Sequence, residues 1–77
     1  MVEKLRVKAI YEDFIANVKL TDEQIKIINM LIDHETIVKI SMEINMSQRA
    51  VGYEIRKIKD MFNDYVLLQT WKAMLLK

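Results

Sequence analysis

The sequence predicts a single compact all-α domain of four to five helices. The chain has 77 residues, which is the size of one domain. It contains one glycine and no proline, so few positions interrupt a helix. Apolar residues make up 52% of the chain. They recur three and four positions apart, which is the spacing of helices that pack one face on a core.

The composition excludes several classes of protein. The formal net charge is +1, which is typical of a globular rather than a disordered chain. The absence of cysteine excludes disulfides and thiolate metal sites. No basic start leads into a clean apolar segment, and no apolar run approaches the roughly 20 residues that span a bilayer. We therefore expect a cytoplasmic protein without a membrane partner.

Residues 1–19 are predicted to form an N-terminal helix, with the helical pattern over 2–18. The residues of its apolar face are Val7, Ile10, Tyr11, Phe14 and Val18. We interpret this segment as a packing helix, with a dimerisation arm as the alternative.

A second helix is predicted to follow a capping box over residues 21–24 and to run through Gln24–Ile32. Thr21 and Gln24 have the spacing of a capping box, in which each residue satisfies the other's backbone N–H. This helix carries apolar residues on two sides, which predicts that neighbouring helices cover both sides. His34 lies in the following turn, where a positive φ is expected.

Two further helices follow with a tight turn between them. Thr36 can cap a short helix over 37–44. Asn45 tolerates the left-handed conformation that ends a helix, and Ser47 can cap the next one. This order is a helix-turn-helix pattern.

The helix over 47–62 has two different sides. Its apolar stripe, spaced for a core, consists of Val51, Ile55, Ile58 and Phe62. The opposite stripe consists of Arg49, Tyr53, Arg56 and Asp60, with Gly52 beside it. Three of those four side chains can bind a polyanion. The stripe is therefore a candidate DNA interface, with a solvated helix face as the alternative.

The segment 63–77 is predicted to be a C-terminal helix. Asn63 can end the preceding helix and Asp64 can cap a new one over about 65–76, although one continuous helix over 47–76 is the alternative. One face of this helix combines Leu67, Leu68, Trp71, Met74 and Leu75. This face either closes the domain's own core or forms the interface of a homodimer.

Over residues 20–62 the chain resembles known helix-turn-helix families. The matching positions are Leu20-Thr21, Met30-Leu31-Ile32, Ile40-Ser41, Ile44, Met46-Ser47, Val51, Ile55 and Phe62. Together they resemble the LuxR/GerE-type domain, and the same stretch is similar to region four of bacterial sigma factors. Residues 47–58 also resemble the recognition helix of MtlR/Mga-type regulators.

Two departures from these families matter. Gly52 stands where LuxR-type proteins usually carry a basic residue. Residues 63–77 contain no glycine and have a helical pattern, so the β-hairpin wing of the MtlR-type families is not expected.

The predicted DNA-binding residues divide by role. Arg49 and Arg56 offer planar forks for guanine or phosphate, Gln48 can read adenine, and Gly52 lets the helix approach the base edges. Residues placed for contacts with the DNA backbone are Lys57, Lys59, Thr36 and Ser47. Tyr53 lies between the two arginines, and Glu54 is expected to pair with Lys57.

The resulting hypothesis is a small bacterial or phage transcription regulator that binds double-stranded DNA as a homodimer. Its recognition helix, 47–62, would lie in the major groove. The alternative is a protein-interaction module of the same fold that docks on RNA polymerase or another regulator. An enzyme is not predicted, because the sequence has no Gly-rich phosphate loop, nucleophile–base set or metal-ligand spacing. No cofactor is expected.

Overall fold

A computed structural model describes residues 1–75 of the chain, and these residues form five α-helices without a strand. The helices are α1 (Val2–Leu5), α2 (Lys8–Asn17), α3 (Asp22–Ile32), α4 (Ile37–Glu43) and α5 (Gln48–Leu75). The predicted all-α class is confirmed. Residues 63–75 are helical, so they contain no wing.

The single N-terminal helix predicted over 2–18 is wrong, because the chain breaks between α1 and α2. Val7 has an extended backbone, with φ −77° and ψ 115°. Leu5 and Phe14 are nine residues apart and would lie on opposite sides of one continuous helix. The break lets both enter the same core, where they are 2% and 0% exposed. Val7, predicted to face the core, is 51% exposed instead.

The capping box at the start of α3 is confirmed. The Gln24 backbone N–H donates to Thr21 Oγ1 at 3.1 Å, and the Thr21 N–H donates to Gln24 Oε1 at 3.0 Å. Ile27 and Ile28 are both fully buried. Because adjacent residues point to different sides of a helix, α3 is covered on two sides as predicted.

The two turns that flank α4 have the predicted local chemistry. His34 and Asn45 both adopt positive φ, at 63° and 57°. Thr36 Oγ1 accepts the Lys39 N–H at 3.2 Å. Ser47 Oγ accepts the Ala50 N–H at 3.0 Å. These contacts fix where α4 begins and where α5 begins, and α4 packs against α5.

The helix break predicted at 63–64 does not occur, because α5 continues through both positions. The side chains of Asn63 and Asp64 are exposed and impose no turn. On the other side of the helix, Phe14 of α2 packs edge-on against Phe62 and Tyr65, with ring centroids 5.2 and 5.3 Å apart. Such pairs stabilise by about 0.5–1.5 kcal/mol each beyond their buried area. Phe62 and Tyr65 lie on either side of the predicted break, so their contacts with Phe14 favour a continuous helix.

The core lies at the centre of the five helices and follows the inward side of α5. Its fully or nearly fully buried side chains are Leu5, Phe14, Ile27, Ile28, Ile40, Val51, Ile58 and Phe62. The long axis of the molecule measures 47 Å, against 20 and 18 Å for the other two. A helix of 28 residues is about 42 Å long, so α5 accounts for this elongation.

Candidate nucleic-acid interface

The candidate interface is the outward side of the first half of α5. Val51 and Ile58 are fully buried and fix which side of this helix faces the core. Arg49, Tyr53 and Arg56 repeat at i, i+4 and i+7 on the opposite side, and all three are exposed. The structure therefore brings the predicted central residues together on one free stripe.

Gly52 opens a shallow depression within this stripe, lined also by Arg49, Tyr53 and Arg56. Apart from the neighbouring backbone of its own helix, a Cβ atom added at Gly52 would have no heavy atom within 4 Å. Its φ is not positive, so neither packing nor backbone conformation requires glycine. Glycine inside a helix costs about 0.5–1 kcal/mol relative to alanine. The fold thus gains nothing from Gly52, and the depression exists only on the outer surface.

The two arginines are free to bind an external group. Within residues 1–75, no carboxylate oxygen lies within 4.0 Å of either Arg49 or Arg56. Arginine presents its donors in a planar fork that matches a phosphate or the guanine edge. A free arginine pair two helical turns apart is suited to a polyanion with regularly spaced groups.

Lys57 is held beside the stripe by two neighbours. Its Nζ lies 3.7 Å from Glu54 Oε1, which is the predicted pair, and 5.5 Å from the centroid of the Tyr53 ring. The ammonium therefore stays on one flank of the stripe. Lys59 lies on the other flank, beside Met1 and Val2 of the N-terminal segment. The two lysines thus lie on opposite flanks of the stripe.

Gln24 links α3 to the candidate interface, and sequence reasoning missed this link. Besides its role in the capping box, its Nε2 donates to Glu54 Oε2 at 3.0 Å. Gln24 is only 6% exposed, so both ends of its amide are satisfied inside the protein. Glu54 in turn holds Lys57. The buried amide thus positions α5 against α3 through a short polar chain, which only the three-dimensional arrangement reveals.

The predicted phosphate-contacting hydroxyls lie at helix starts. Thr36 and Ser47 are exposed and accept capping hydrogen bonds through their oxygens, so each hydroxyl hydrogen can still donate outward. Gln48 is exposed at the first position of α5. Thr36 belongs to the start of α4 rather than to the stripe on α5.

The predicted dimer residues form a second exposed surface, further along α5. Their exposures are 68% for Leu67, 51% for Leu68, 60% for Trp71, 65% for Met74 and 69% for Leu75. None of them belongs to the core, so the alternative in which this face closes the domain's own core is wrong. We call these five residues the apolar end of α5.

The apolar end continues the stripe of the candidate interface. Arg49 and Leu67 are 18 residues apart, which is about five full turns. They therefore lie on the same side of the helix. Between the two surfaces the stripe carries Asp60 and Asp64, both exposed. Along its outward side α5 thus changes from cationic to acidic to apolar.

Tyr65 ties α5 to α2 close to the acidic segment. Its hydroxyl donates to Asp13 Oδ2. That hydrogen bond, then burial, then repulsion from the Asp13 charge raise the pKa of Tyr65 to about 12. Tyr65 also packs at the edge of the core, beside Phe14 and Phe62.

Comparison with protein-family models, curated proteins and solved structures found no match for this chain. The resemblance to helix-turn-helix families therefore stays a prediction. Over residues 1–75, no helix is long and apolar enough to cross a membrane.

Proposed function

We propose that the protein is a small transcription regulator that binds double-stranded DNA sequence-specifically, with the first half of α5 in the major groove. One observation carries the proposal. Arg49, Gly52, Tyr53 and Arg56 form an exposed stripe whose glycine the fold does not use. A glycine that weakens its own helix and opens only outward is explained by close approach to a ligand.

The dimensions and chemistry of duplex DNA suit this stripe. The major groove is about 12 Å wide and admits one α-helix. Arg49 and Arg56 can each donate two hydrogen bonds to a guanine or a phosphate. At Gly52 the helix backbone can come near the base edges. In this arrangement Lys57 and Lys59, on the two flanks, would contact the two phosphate backbones.

Contacts at the start of the helices would set the register on the DNA. Ser47 and Thr36 can donate to phosphate oxygens beside backbone N–H groups at helix starts. Gln48, at the start of α5, can bond an adenine edge. The function we propose also implies a cytoplasmic location and action as a homodimer.

A second candidate function is docking on RNA polymerase or another regulator. The observation that favours it is Tyr53, which is 63% exposed between two arginines. Tyrosine and arginine are enriched among the residues that dominate protein–protein binding energy. In that case the same stripe would contact protein, and DNA affinity would be weak and insensitive to sequence.

The test is selection of bound duplexes from a random DNA pool, followed by affinity measurements on the selected sequence. With about four phosphate contacts, log affinity should fall against log salt with a slope on the order of −3 to −4. Arg56→Ala should weaken binding by about 1–3 kcal/mol and relax the sequence preference at one position.

Lys8→Ala is the matched control for Arg56→Ala. It removes the same charge from α2, which packs against the inward side of α5. It should change affinity only slightly. If the wild-type protein fails to shift any duplex at low salt, the DNA-binding proposal is wrong and a pull-down with RNA polymerase tests the alternative.

A further inference from the structure

The centre of the candidate interface is uneven, because a glycine and an exposed tyrosine lie side by side there. Gly52 comes three residues after Arg49 and four before Arg56, so these three residues follow one row of the helix surface. Tyr53, directly after Gly52, is 63% exposed. The same four residues line one shallow depression. The interface thus has a low point at Gly52, with an aromatic ring on one side and an arginine at either end.

The floor of this depression suits an apolar group. Gly52 lies beyond the first turn of α5, where backbone N–H groups are already bonded to carbonyl groups of the same helix. Its own carbonyl accepts in the same ladder. The floor therefore offers neither a free donor for an anion nor a free acceptor for an amino group. A polar group pressed against it would lose its hydrogen bonds to water and gain none, which is unfavourable.

Tyr53 supplies an apolar wall that stays open on the side of the depression. Lys57 Nζ lies 5.5 Å from the centroid of the Tyr53 ring and 3.7 Å from Glu54 Oε1. By helical spacing, Lys57 lies on the side of Tyr53 that is away from Gly52. The lysine therefore covers the outer side of the ring, and the side that lines the depression is left for an incoming group.

We propose that this depression receives the C5-methyl group of one thymine in the major groove, which makes Gly52 a specificity-determining residue. The inference rests on the proposed DNA-binding function and names the base that the stripe selects. Thymine alone among the four bases presents a methyl group in the major groove. At the floor a methyl group needs no hydrogen-bond partner, and it gains van der Waals contact with the ring of Tyr53.

The two arginines place this thymine between two other contacted bases. Arg49 and Arg56 are seven residues apart, which is a rise of about 10.5 Å along the helix. Successive base pairs are about 3.4 Å apart along the duplex axis, so the arginines reach bases roughly two to three pairs apart when α5 lies along the groove. Gly52 lies near the middle of this distance. Where both arginines bind guanines, the selected site should contain a thymine between them.

Replacement of thymine by uracil tests the inference, because uracil differs only by the missing methyl group. The thymines of the duplex selected from the random pool are exchanged one at a time, and the affinity for each duplex is measured by titration. The wild-type protein should bind about fourfold more weakly when one particular thymine is exchanged, which is the loss expected for one buried methyl group. Thymines outside the contacted segment should tolerate the exchange.

Gly52→Ala should invert this preference, because the added methyl group of the protein occupies the depression. The variant should bind the uracil duplex more tightly than the thymine duplex, since the missing base methyl makes room for the alanine. Ala16→Gly, on the exposed surface of α2, is the matched control and should keep the wild-type preference. The ratio of affinities compares one protein on two duplexes, so a change in stability does not alter it.

The outcomes separate this inference from the underlying function. One sensitive thymine whose preference Gly52→Ala inverts would support the inference. If the wild-type protein binds the selected duplex but every thymine tolerates uracil, or if Gly52→Ala keeps the preference for thymine, the inference is wrong while the proposed function stands. If the wild-type protein binds no duplex, the proposed function fails and the inference fails with it.

Discussion

The two halves of the outward stripe of α5 share one helix and one side but carry opposite chemistry. The first half has two arginines, an exposed tyrosine and a glycine, whereas the apolar end has five large apolar side chains. Neither half contributes to the core. Because neither set of residues contributes to folding, we infer that each binds an external partner. The two partners must differ, because the arginines suit a polyanion and the apolar end suits another apolar surface.

The largest expected effect concerns the cationic half. Arg49→Ala combined with Arg56→Ala should lower affinity for the selected duplex by about 2–6 kcal/mol, since each base-reading arginine contributes about 1–3 kcal/mol. The free energy of unfolding should stay within about 0.5 kcal/mol of wild type, because both side chains are exposed. Titration of labelled duplex measures the affinity, and urea unfolding measures the stability. An equal loss of affinity and stability would show that the arginines stabilise the fold.

A substitution in the apolar end should weaken self-association of the protein rather than its affinity for DNA. Trp71→Ala should weaken self-association by about 2 kcal/mol or more, as expected for a central aromatic contact. The free energy of unfolding of the monomer should hardly change, since Trp71 is 60% exposed. Sedimentation over a concentration series measures self-association, and urea unfolding at low protein concentration measures the stability of the monomer. A wild-type protein that stays monomeric at high concentration, both free and on DNA, would contradict the dimer.

The link between α3 and the stripe should have an intermediate effect. Gln24→Ala removes the buried amide that joins the capping box to Glu54. We expect a loss of about 1–2 kcal/mol in the free energy of unfolding, from the capping contact and the buried hydrogen bond. Asp22→Ala, in the exposed first turn of the same helix, is the control and should cost less. Urea unfolding of both variants measures which substitution lowers the free energy of unfolding more.

The smallest expected effect is a dependence of stability on alkaline pH. The fold raises the pKa of Tyr65 from 10.0 to about 12 because the neutral hydroxyl donates to Asp13. This stabilisation is complete below pH 10 and is lost as the pH rises through about 12. In the Tyr65→Phe variant, the part of the loss of stability at alkaline pH that comes from ionisation of this hydroxyl should be absent. Unfolding curves of both proteins across this range measure the difference, and parallel profiles would refute the assignment.

Features governed by local chemistry were predictable from the sequence. Thr21, Thr36 and Ser47 cap their helices, and His34 and Asn45 take positive φ, because each depends on residues only a few positions away. The exposed stripe was likewise predictable from helical spacing.

Features governed by distant contacts were not predictable. The break after α1 exists because Leu5 and Phe14 must reach one core. The continuity of α5 depends on Phe14 packing against Phe62 and Tyr65, which outweighs the turn signals of nearby polar residues. The contact between Gln24 and Glu54 joins residues 30 positions apart. The identity of the ligand depends on a molecule outside the chain, so DNA binding stays a prediction.

Gly52→Ala tests the central claim most directly, because stability and function should change in opposite directions. Apart from the backbone of its own helix, the added methyl group meets no heavy atom within 4 Å, so the free energy of unfolding should rise by about 0.5–1 kcal/mol. Affinity for the selected duplex should fall by about 1–3 kcal/mol, the usual cost of overpacking a close contact. Ala16→Gly, the reverse exchange on α2, should lower stability and leave affinity unchanged. A Gly52→Ala protein that is more stable and binds DNA as well as wild type would contradict the claim that this stripe enters the groove.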